Sequence, residues 1–454
     1  VLNAHVHEVI RDCRRCMMTI GVGQIASAER SCGLTNAFGF SGTIASVVTQ
    51  SHESRLSPQT SSLSAPLLFY RRRTFSWVPQ GRTSAAATTI YCSCFQARAE
   101  HHHHHEHPGS TSHQRVMVLA LKEGADSKHS SPPQMMKANV CVQQVVLILC
   151  VETSQAPALQ SIVLALALVQ QLAASRPPAQ LLVLSSGAPQ GVVVGLARVV
   201  RLEHAALQTI CVRATCAARV MGMGDLRMAA GREQEMAFGT DGKLHVARLR
   251  VSAQNTTGAA ASLSPGTYVV TGGLGGLGLR AASLLASKGA ERVLLASSSG
   301  RIRRKGQGLE ARLSELSAAA VLVACDSGDA ADVRALVGQA QALSGLLHAA
   351  GVSDKGLLAA VDAARLEWVL APKARGAWHL HASTVASAVE HRLMFSSVGS
   401  GLANIGQGSY AAANAYLDAH ASALRSVGLV ACSVQWPLVS GAGMGAEIAV
   451  AVSG

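Results

Sequence analysis

Aromatic side chains are scarce in this chain. Phe, Trp and Tyr make up only 4% of the 454 residues, although apolar residues as a whole make up 49%. A packed core must therefore consist mainly of Ala, Leu and Val, which suits close packing of helices on sheets in an α/β protein. The length allows two to four domains, and the 42 glycines indicate many tight turns.

Long apolar runs and ordered cysteine patterns are also absent. The longest apolar candidate, residues 162–174, is interrupted by Gln170 and Gln171, so no membrane span is expected. The 11 cysteines are odd in number and irregularly spaced, which argues against a disulfide framework and favours a reducing compartment. The pairs Cys13/Cys16 and Cys92/Cys94 could each supply half of a zinc site, but unpaired thiols are the simpler interpretation and no metal site is assigned.

The net charge of +13 is not concentrated in one segment. Basic side chains occur in short groups such as Arg71–Arg73 and Arg301–Lys305, and no basic helix with interleaved aromatics is present. Nucleic acid is therefore not an expected partner.

Residues 1–138 lack the periodic patterns of helices and strands. The first 99 residues contain ten arginines, four acidic residues and no lysine, a composition that resembles an organellar transit segment. A histidine-rich run, His101–His107, could bind a metal, but a low-complexity linker or a tag is the preferred interpretation. We assign this segment no fold and expect it to be disordered or of low complexity. Its composition leaves cytoplasmic and organellar locations open.

Strands and helices alternate in residues 139–263. Strands are predicted near 144–151, 180–185 and 209–213, helices over 159–174 and 191–202, and a hairpin over 236–249. This alternation predicts a Rossmann-like sheet, yet the segment has no glycine-rich phosphate loop. We expect a structural subdomain without a dinucleotide site.

Residues 264–454 begin with a strand, a glycine-rich loop and a helix, followed by repeated βα units. This pattern predicts a doubly wound parallel sheet. A flexible turn is the alternative reading of the loop, but its place between a strand and a helix favours binding of a dinucleotide pyrophosphate. The loop comprises Thr271, Gly272, Gly273, Leu274, Gly275, Gly276, Leu277 and Gly278.

The next strand ends at Ser297 and Ser298 rather than at an acidic residue. An NAD site usually carries Asp or Glu there to bind the ribose hydroxyls. The basic residues of 301–305 follow instead and could pair with a 2′-phosphate. The sequence therefore favours NADPH, although a solvated basic loop is the alternative.

A second constellation lies downstream. Ser397 ends a predicted strand, Tyr410 begins a helix 13 residues later, and Asn414 lies on the same helical face. Lys373 precedes Ser397 by 24 residues. Ketone reduction needs an acid that protonates the nascent alkoxide, and a tyrosine near an ammonium group can serve. We predict that Tyr410 is this acid and that Ser397 orients the carbonyl group. Lys373 and Asn414 are predicted to belong to the same catalytic site.

These residues resemble the short-chain dehydrogenase/reductase superfamily, and more closely the ketoreductase domains of modular type I polyketide synthases. Asn414 stands where the superfamily usually has lysine, with Lys373 supplied from an earlier helix, as is typical of the polyketide enzymes. The motifs Phe395–Val398, Gly406–Asp418 and His348–Gly351 are similar to theirs, and residues 195–204 are similar to their structural subdomain signature. The resemblance covers about residues 140–447.

The resemblance implies NADPH-dependent reduction of a β-ketoacyl thioester held on an acyl carrier protein, beside other polyketide synthase domains. It also implies that Lys373 lowers the tyrosine pKa and joins a proton relay that Asn414 holds. Further cofactor contacts are implied at Asp326, Ala349, Ala350 and Gly351.

Several positions depart from the family pattern. Ser298 stands where the family has an arginine that contacts the 2′-phosphate. Two family motifs that accompany one or the other alcohol stereoisomer, at residues 353–355 and at Leu402, are both incomplete. The product stereochemistry is therefore open, with a slight preference for the class that carries Leu-Asp-Asp. Pro437 replaces a glycine, and the sequence has the appearance of a fragment. A fatty acid synthase ketoreductase and a catalytically silent structural module remain alternatives.

Overall fold

A computed structural model of the chain gives two compact units, residues 87–436 and residues 1–86 with 437–454. The structure describes residues 23–27, 30–38, 44–50, 69–74, 91–97, 116–123, 144–151, 156–175, 179–213, 233–238, 244–251, 263–316, 319–439 and 441–446. The Cys13/Cys16 pair and the histidine run 101–107 lie outside these residues.

The unit that contains residues 1–86 has a four-stranded antiparallel sheet. Its strands follow chain order, each paired with the next. They are β1 (Gly23–Ser27), β2 (Arg30–Phe38), β3 (Ile44–Gln50) and β4 (Phe69–Thr74).

The unit of residues 87–436 contains two sheets, of which the first has seven strands in the order β5-β11-β10-β9-β8-β7-β6. Strands β6 to β10 are parallel, whereas β11 pairs antiparallel with both β10 and β5. The strands are β5 (Tyr91–Ala97), β6 (Val116–Glu123), β7 (Gln144–Val151), β8 (Gln180–Ser185), β9 (Ile210–Arg213), β10 (Glu235–Phe238) and β11 (Leu244–Val251).

Two helices accompany this sheet, α1 (Leu159–Ala174) and α2 (Gly191–Glu203). The strands β7 and β8 are almost continuously buried, as expected for parallel strands covered by helices. Elements predicted between residues 144 and 249 are present within one or two residues of their expected ends.

Strands β5 and β6 come from the segment 1–138, to which the sequence analysis assigned no fold. Both join the seven-stranded sheet, β6 beside β7 and β5 beside β11. The sheet therefore includes residues from before position 139. The expected disorder describes neither these two strands nor β1 to β4, which also lie within residues 1–138. Pairing between residues far apart in sequence supplies this order, which local periodicity does not reveal.

The second sheet has six parallel strands in the order β14-β13-β12-β15-β16-β17. Chain order reverses between β12 and β15, which creates the crevice at the carboxyl ends of the strands where doubly wound sheets bind ligands. The predicted doubly wound Rossmann fold is confirmed. The strands are β12 (Thr267–Thr271), β13 (Arg292–Ser297), β14 (Ala320–Ala324), β15 (Leu343–His348), β16 (His391–Ser397) and β17 (Cys432–Trp436).

Helices flank this sheet and connect its strands. They are α3 (Gly276–Ser287), α4 (Leu309–Leu316), α5 (Ala330–Gly338), α6 (Ala363–Leu370), α7 (Gly376–Ser383), α8 (Val398–Leu402) and α9 (Gly408–Ser426), with a π-turn at Ala371–Arg375 between α6 and α7.

The unit has two halves, the structural half (residues 87–263) with the first sheet and the catalytic half (residues 264–436) with the second. Helices α2 and α9 connect these two halves through very close packing. A Cβ on Gly195 would lie 2.5 Å from the Ala411 carbonyl oxygen, and one on Gly191 would lie 2.8 Å from the Ala419 Cβ. One apolar cluster includes residues from β7, β8, α1, α2, α6 and α9. The helix that carries Tyr410 is thus packed directly on the structural half.

Among the residues that the structure describes, no helix is both long enough and apolar enough to cross a membrane.

Candidate active site

The glycine-rich turn lies at the switch point between β12 and β15. Gly272 has φ +65° and its absent Cβ would lie 2.6 Å from the Ala349 carbonyl carbon, so the turn packs against the end of β15. Helix α3 begins at Gly276, inside the stretch 271–278 that the sequence predicts as a loop. A Cβ on Gly278 would lie 2.3 Å from the Gly272 carbonyl oxygen, and therefore only glycine permits this helix start.

This turn fits a dinucleotide pyrophosphate. The N-terminus of α3 opens directly from it, and the free N–H groups and the helix dipole there favour an anion. Neither Gly275 nor Gly276 has a side chain that would keep a phosphate away from the backbone. Leu274 is buried and Leu277 is half-buried, so both contribute to the support of the turn.

Ser297 and Ser298 lie at the carboxyl end of β13, beside β14. The Ser297 hydroxyl oxygen is buried and has no hydrogen-bond partner among the described residues, whereas Ser298 is exposed. Asp326 follows β14 and accepts a hydrogen bond from Gly328 N–H through Oδ1 at 2.9 Å. An unpartnered hydroxyl and an exposed carboxylate at this edge fit the adenosine half of a dinucleotide.

His348 connects the glycine-rich turn to Lys373. Its Nε2 donates to the Lys373 carbonyl oxygen at 2.8 Å, because a carbonyl can only accept. Its Nδ1 is then an acceptor for the Thr271 hydroxyl at 2.7 Å. Burial lowers the pKa of His348 to about 4, so the ring is neutral at pH 7. The proton of the Thr271 hydroxyl is thereby used in the hydrogen bond to His348.

Lys373 lies in the π-turn Ala371–Arg375, which positions its side chain. Pro372 has no N–H for a regular helical bond, and π-turns of this kind are frequent at functional sites. The Lys373 side chain is 3% exposed, and its Nζ donates to the Phe395 carbonyl oxygen at 2.8 Å. Burial lowers the pKa of Lys373 to about 8, although the Asp418 carboxylate opposes this shift.

Tyr410 lies in the first turn of α9, and the Lys373 Nζ is 5.8 Å from the centre of its ring. Burial raises the pKa of Tyr410, whereas hydrogen bonding from the Ser397 and Asn414 side chains opposes the rise. Asn414 Nδ2 also donates to the Tyr410 carbonyl oxygen at 2.8 Å. Ser397 Oγ accepts from Gly399 N–H at 3.1 Å and so caps α8.

The structure therefore brings Ser397, Tyr410, Asn414 and Lys373 together at the carboxyl ends of the strands. Gly351 lies against Lys373, since its absent Cβ would lie 2.5 Å from the Lys373 Cε. A buried phenol, an adjacent ammonium group and a serine hydroxyl can bind and protonate the oxygen of a carbonyl compound.

A family model for the KR domain matches residues 266–441. The chain is 40% identical over 229 residues to polyketide synthase GfsA of Streptomyces halstedii, which covers 50% of this chain and 3% of that protein. It is 36% identical over 222 residues to erythronolide synthase EryA2 of Saccharopolyspora erythraea, which covers 48% of this chain and 6% of that protein. Residues 266–441 are a ketoreductase domain of the modular type I polyketide synthase family.

Solved structures agree with this assignment. A structure described as A-type ketoreductases from a modular polyketide synthase aligns with a TM-score of 0.64 and 27% identity, over 78% of this chain and 84% of that chain. One described as an A1-type ketoreductase aligns with a TM-score of 0.65 and 26% identity, over 80% and 85%. Ketoreductase domains are oxidoreductases of the short-chain dehydrogenase/reductase type and bind nicotinamide cofactors.

Two residues around the ketoreductase site were not assigned a role from the sequence. His348 was noted only as part of a motif, and its bridging position depends on the pairing of β12 with β15. Asp418 receives hydrogen bonds from the side chains of Ser400, Ser433 and Gln435 at 2.6 to 2.7 Å. Its spacing of eight residues from Tyr410 and four from Asn414 places it on the same helical face, which is the signal that could have identified it.

Proposed function

We propose that this chain reduces the ketone of a β-ketoacyl thioester to the β-hydroxyacyl thioester with NADPH as the reductant. The observation that carries the proposal is the convergence of Ser397, Lys373 and Asn414 on Tyr410, beside a glycine-rich turn that fits a dinucleotide.

Tyr410 is the proton donor in this proposal. Because burial raises the pKa of Tyr410, the phenol is protonated at pH 7 and able to donate. A reduced nicotinamide, when bound, supplies a hydride to the carbonyl carbon. The O–H bond of Tyr410 breaks as its proton passes to the carbonyl oxygen, which Ser397 orients.

Lys373 and Asn414 restore the proton on Tyr410. The pKa of Lys373, about 8, keeps its side chain mainly cationic at pH 7 and able to stabilise a transient phenolate. Asn414 Oδ1 is buried and has no hydrogen-bond partner among the described residues. This free acceptor supports a relay in which Asn414 orients a water molecule between solvent and Lys373.

NADPH rather than NADH is proposed as the reductant. No acidic residue ends β13, where a carboxylate would repel a 2′-phosphate, and Arg301, Arg303 and Lys305 are exposed just beyond it. These cations can pair with the 2′-phosphate in place of the arginine that the family usually carries at the position of Ser298.

A carrier-bound thioester is the proposed form of the substrate, with an acyl carrier protein and other polyketide synthase domains as partners. The chain spans only 3% to 10% of the length of five curated relatives that it matches, and these relatives are polyketide synthases. A fatty acid synthase would need the same reaction, and neighbouring domains of the full protein would distinguish the two pathways.

A catalytically silent structural module is the second candidate, because Ser298 lacks the cationic side chain expected for cofactor binding. Titration with NADPH, followed by nucleotide fluorescence, distinguishes the candidates. We expect saturable binding that is tighter than for NADH, whereas a silent module would give none.

Replacing Tyr410 by Phe tests the catalytic proposal. The change removes the proton donor and preserves the ring, so we expect turnover of a β-ketoacyl thioester analogue to fall by at least about a hundredfold. NADPH affinity should stay within about threefold, since the glycine-rich turn is untouched.

Tyr416→Phe is the matched control. Tyr416 is a buried tyrosine on the same helix, stacked on His420 with ring centres 5.3 Å apart. Removal of its hydroxyl should leave most of the turnover. Full activity of Tyr410→Phe would refute the proposal.

A further inference from the structure

The carboxylate of Glu203 binds two loops of the catalytic half from the end of α2. Its Oε2 accepts a hydrogen bond from Leu358 N–H and its Oε1 accepts one from Gly406 N–H, both at 2.7 Å. Hydrogen bonds from N–H groups to a carboxylate are stronger than those between neutral groups. A single side chain of the structural half therefore connects segments that are 48 residues apart in sequence.

The first of these segments, residues 352–361, adjoins the catalytic lysine. It follows Gly351, which lies against Lys373. The Leu358 side chain is fully buried, and it lies so close to Gly408 that a Cβ there would be 2.4 Å from the Leu358 Cδ2. This loop thus packs directly on the start of α9, two residues before Tyr410.

The second segment, residues 403–407, leads into α9. Gly406 has φ +75°, and its carbonyl oxygen accepts from Gly356 N–H at 2.9 Å, which links this loop to the first. Glu203 therefore accepts one hydrogen bond from each loop, next to the Gly356–Gly406 hydrogen bond that joins the two loops. Lys373 lies against Gly351, which directly precedes the first loop, and Tyr410 follows the second loop by three residues.

Two other side chains of the structural half contact the same region, but each of them bonds to at most one of the two loops. Gln170 Nε2 donates to the Leu358 and Val361 carbonyl oxygens at 2.8 Å each, which fixes the first loop alone. Arg198 Nη1 donates to the Ser400 carbonyl oxygen at 2.5 Å and reaches neither loop. Among the described residues, Glu203 alone accepts from both loops.

We propose that Glu203 is a positioning residue for ketone reduction, which fixes the two loops 352–361 and 403–407 as the walls of the substrate site. The proposal rests on the proposed function. It gives the structural half, which has no glycine-rich loop of its own, a part in substrate placement beyond stability.

Glu203→Gln in the full chain tests this proposal. Glutamine keeps the size of the side chain, but its single acceptor oxygen can serve only one N–H, and its amide group faces the other with a donor. We expect amides in peptides covering both loops to exchange with deuterium at least about threefold faster, while peptides from β13 and β14 remain unchanged. With a β-ketoacyl thioester analogue and NADPH, KM should rise about fivefold to tenfold while kcat changes less than about threefold.

This pattern separates positioning from a loss of folded protein. A smaller folded fraction would lower the apparent kcat and leave KM unchanged, since the remaining molecules would have intact walls. The matched control is Glu233→Gln, because Glu233 pairs with Arg248 at 2.6 Å within the structural half. This variant should retain both kinetic constants and both exchange profiles.

The outcomes are distinguishable from those of the proposed function. If the unsubstituted chain shows no turnover, the proposed function fails and this inference fails with it. If the unsubstituted chain is active, unchanged KM or unchanged exchange of either loop in Glu203→Gln overturns this inference alone.

Discussion

The ammonium group of Lys373 lies in the protein interior, where desolvation disfavours a charged side chain. Its pKa is lowered from 10.5 to about 8 by burial, so the folded protein releases this proton more readily than the unfolded chain does. Between pH 8 and 10.5 the unfolded chain binds more protons, and the free energy of unfolding therefore rises with pH through this window. The stability cost of Lys373 is fully present below pH 8.

Lys373→Met removes this dependence. Relative to the unsubstituted protein, the free energy of unfolding of the variant should fall by on the order of 3 kcal/mol between pH 7.5 and 10.5, as measured by urea denaturation. Ketone reduction by Lys373→Met should be lost across this pH range. Lys288→Met, at an exposed lysine at the end of α3, should show no such relative change, and an equal pH profile for the two variants would contradict the assignment of a buried ammonium.

The clustering of the candidate site residues could be predicted because their spacing is local or belongs to a motif. Tyr410 and Asn414 are one helical turn apart, and Ser397 ends a strand that the apolar pattern predicts. The roles of His348 and Glu203 could not be predicted in this way. Each depends on contacts with residues that lie far away in sequence, and no periodicity encodes the resulting geometry.

Helix α2 and helix α9 approach each other through residues without large side chains, and this contact supports the helix that carries Tyr410. In Gly195→Ala, the new Cβ would lie 2.5 Å from the Ala411 carbonyl oxygen, a distance that forces the two helices apart. We expect the free energy of unfolding to fall by about 1–3 kcal/mol and turnover to fall because α9 carries Tyr410. Urea denaturation and steady-state kinetics measure the two effects.

Gly338→Ala is the matched control for this packing. Gly338 ends α5, and a Cβ there meets nothing within 4 Å, so the higher helix propensity of alanine should leave stability unchanged or raise it by up to about 1 kcal/mol. Equal effects of the two substitutions would show that close packing of α2 on α9 does not matter.

Most helices and strands after residue 139 could be predicted, and their ends differ for identifiable reasons. The glycines that suggested a loop before α3 instead begin the helix, since tertiary contact compensates for low helix propensity. The backbone of Ala349 and Ala350 follows β15 and packs on Gly272. None of the strands β1 to β6 was predicted, and β5 and β6 are defined by pairing with β11 and β7 rather than by a local pattern.

The whole unit of residues 87–436 contains buried histidines that oppose folding in acid. Burial lowers the pKa of His348 to about 4 and that of His420 to about 3, and it also lowers the pKa of His381. Unfolded histidines take up protons near pH 6.5, so stability decreases as pH falls from about 6.5 towards 4. Because one apolar cluster extends across both halves, this loss should appear as a single acid-induced transition.

His420 offers the clearest test of this acid sensitivity. Both of its ring nitrogens are buried without a hydrogen-bond partner among the described residues, and its ring stacks on Tyr416 and meets the edge of His381, with ring centres 5.4 Å apart. In His420→Phe, an aromatic ring remains while one proton-binding site of the unfolded chain is lost. Between pH 7 and 4.5 the variant should lose on the order of 2–3 kcal/mol less stability than the unsubstituted protein in urea denaturation. His391→Phe, at a partly exposed histidine on β16, should keep the original pH dependence; a variant of His420 that did the same would mean that this histidine is not buried in its neutral form.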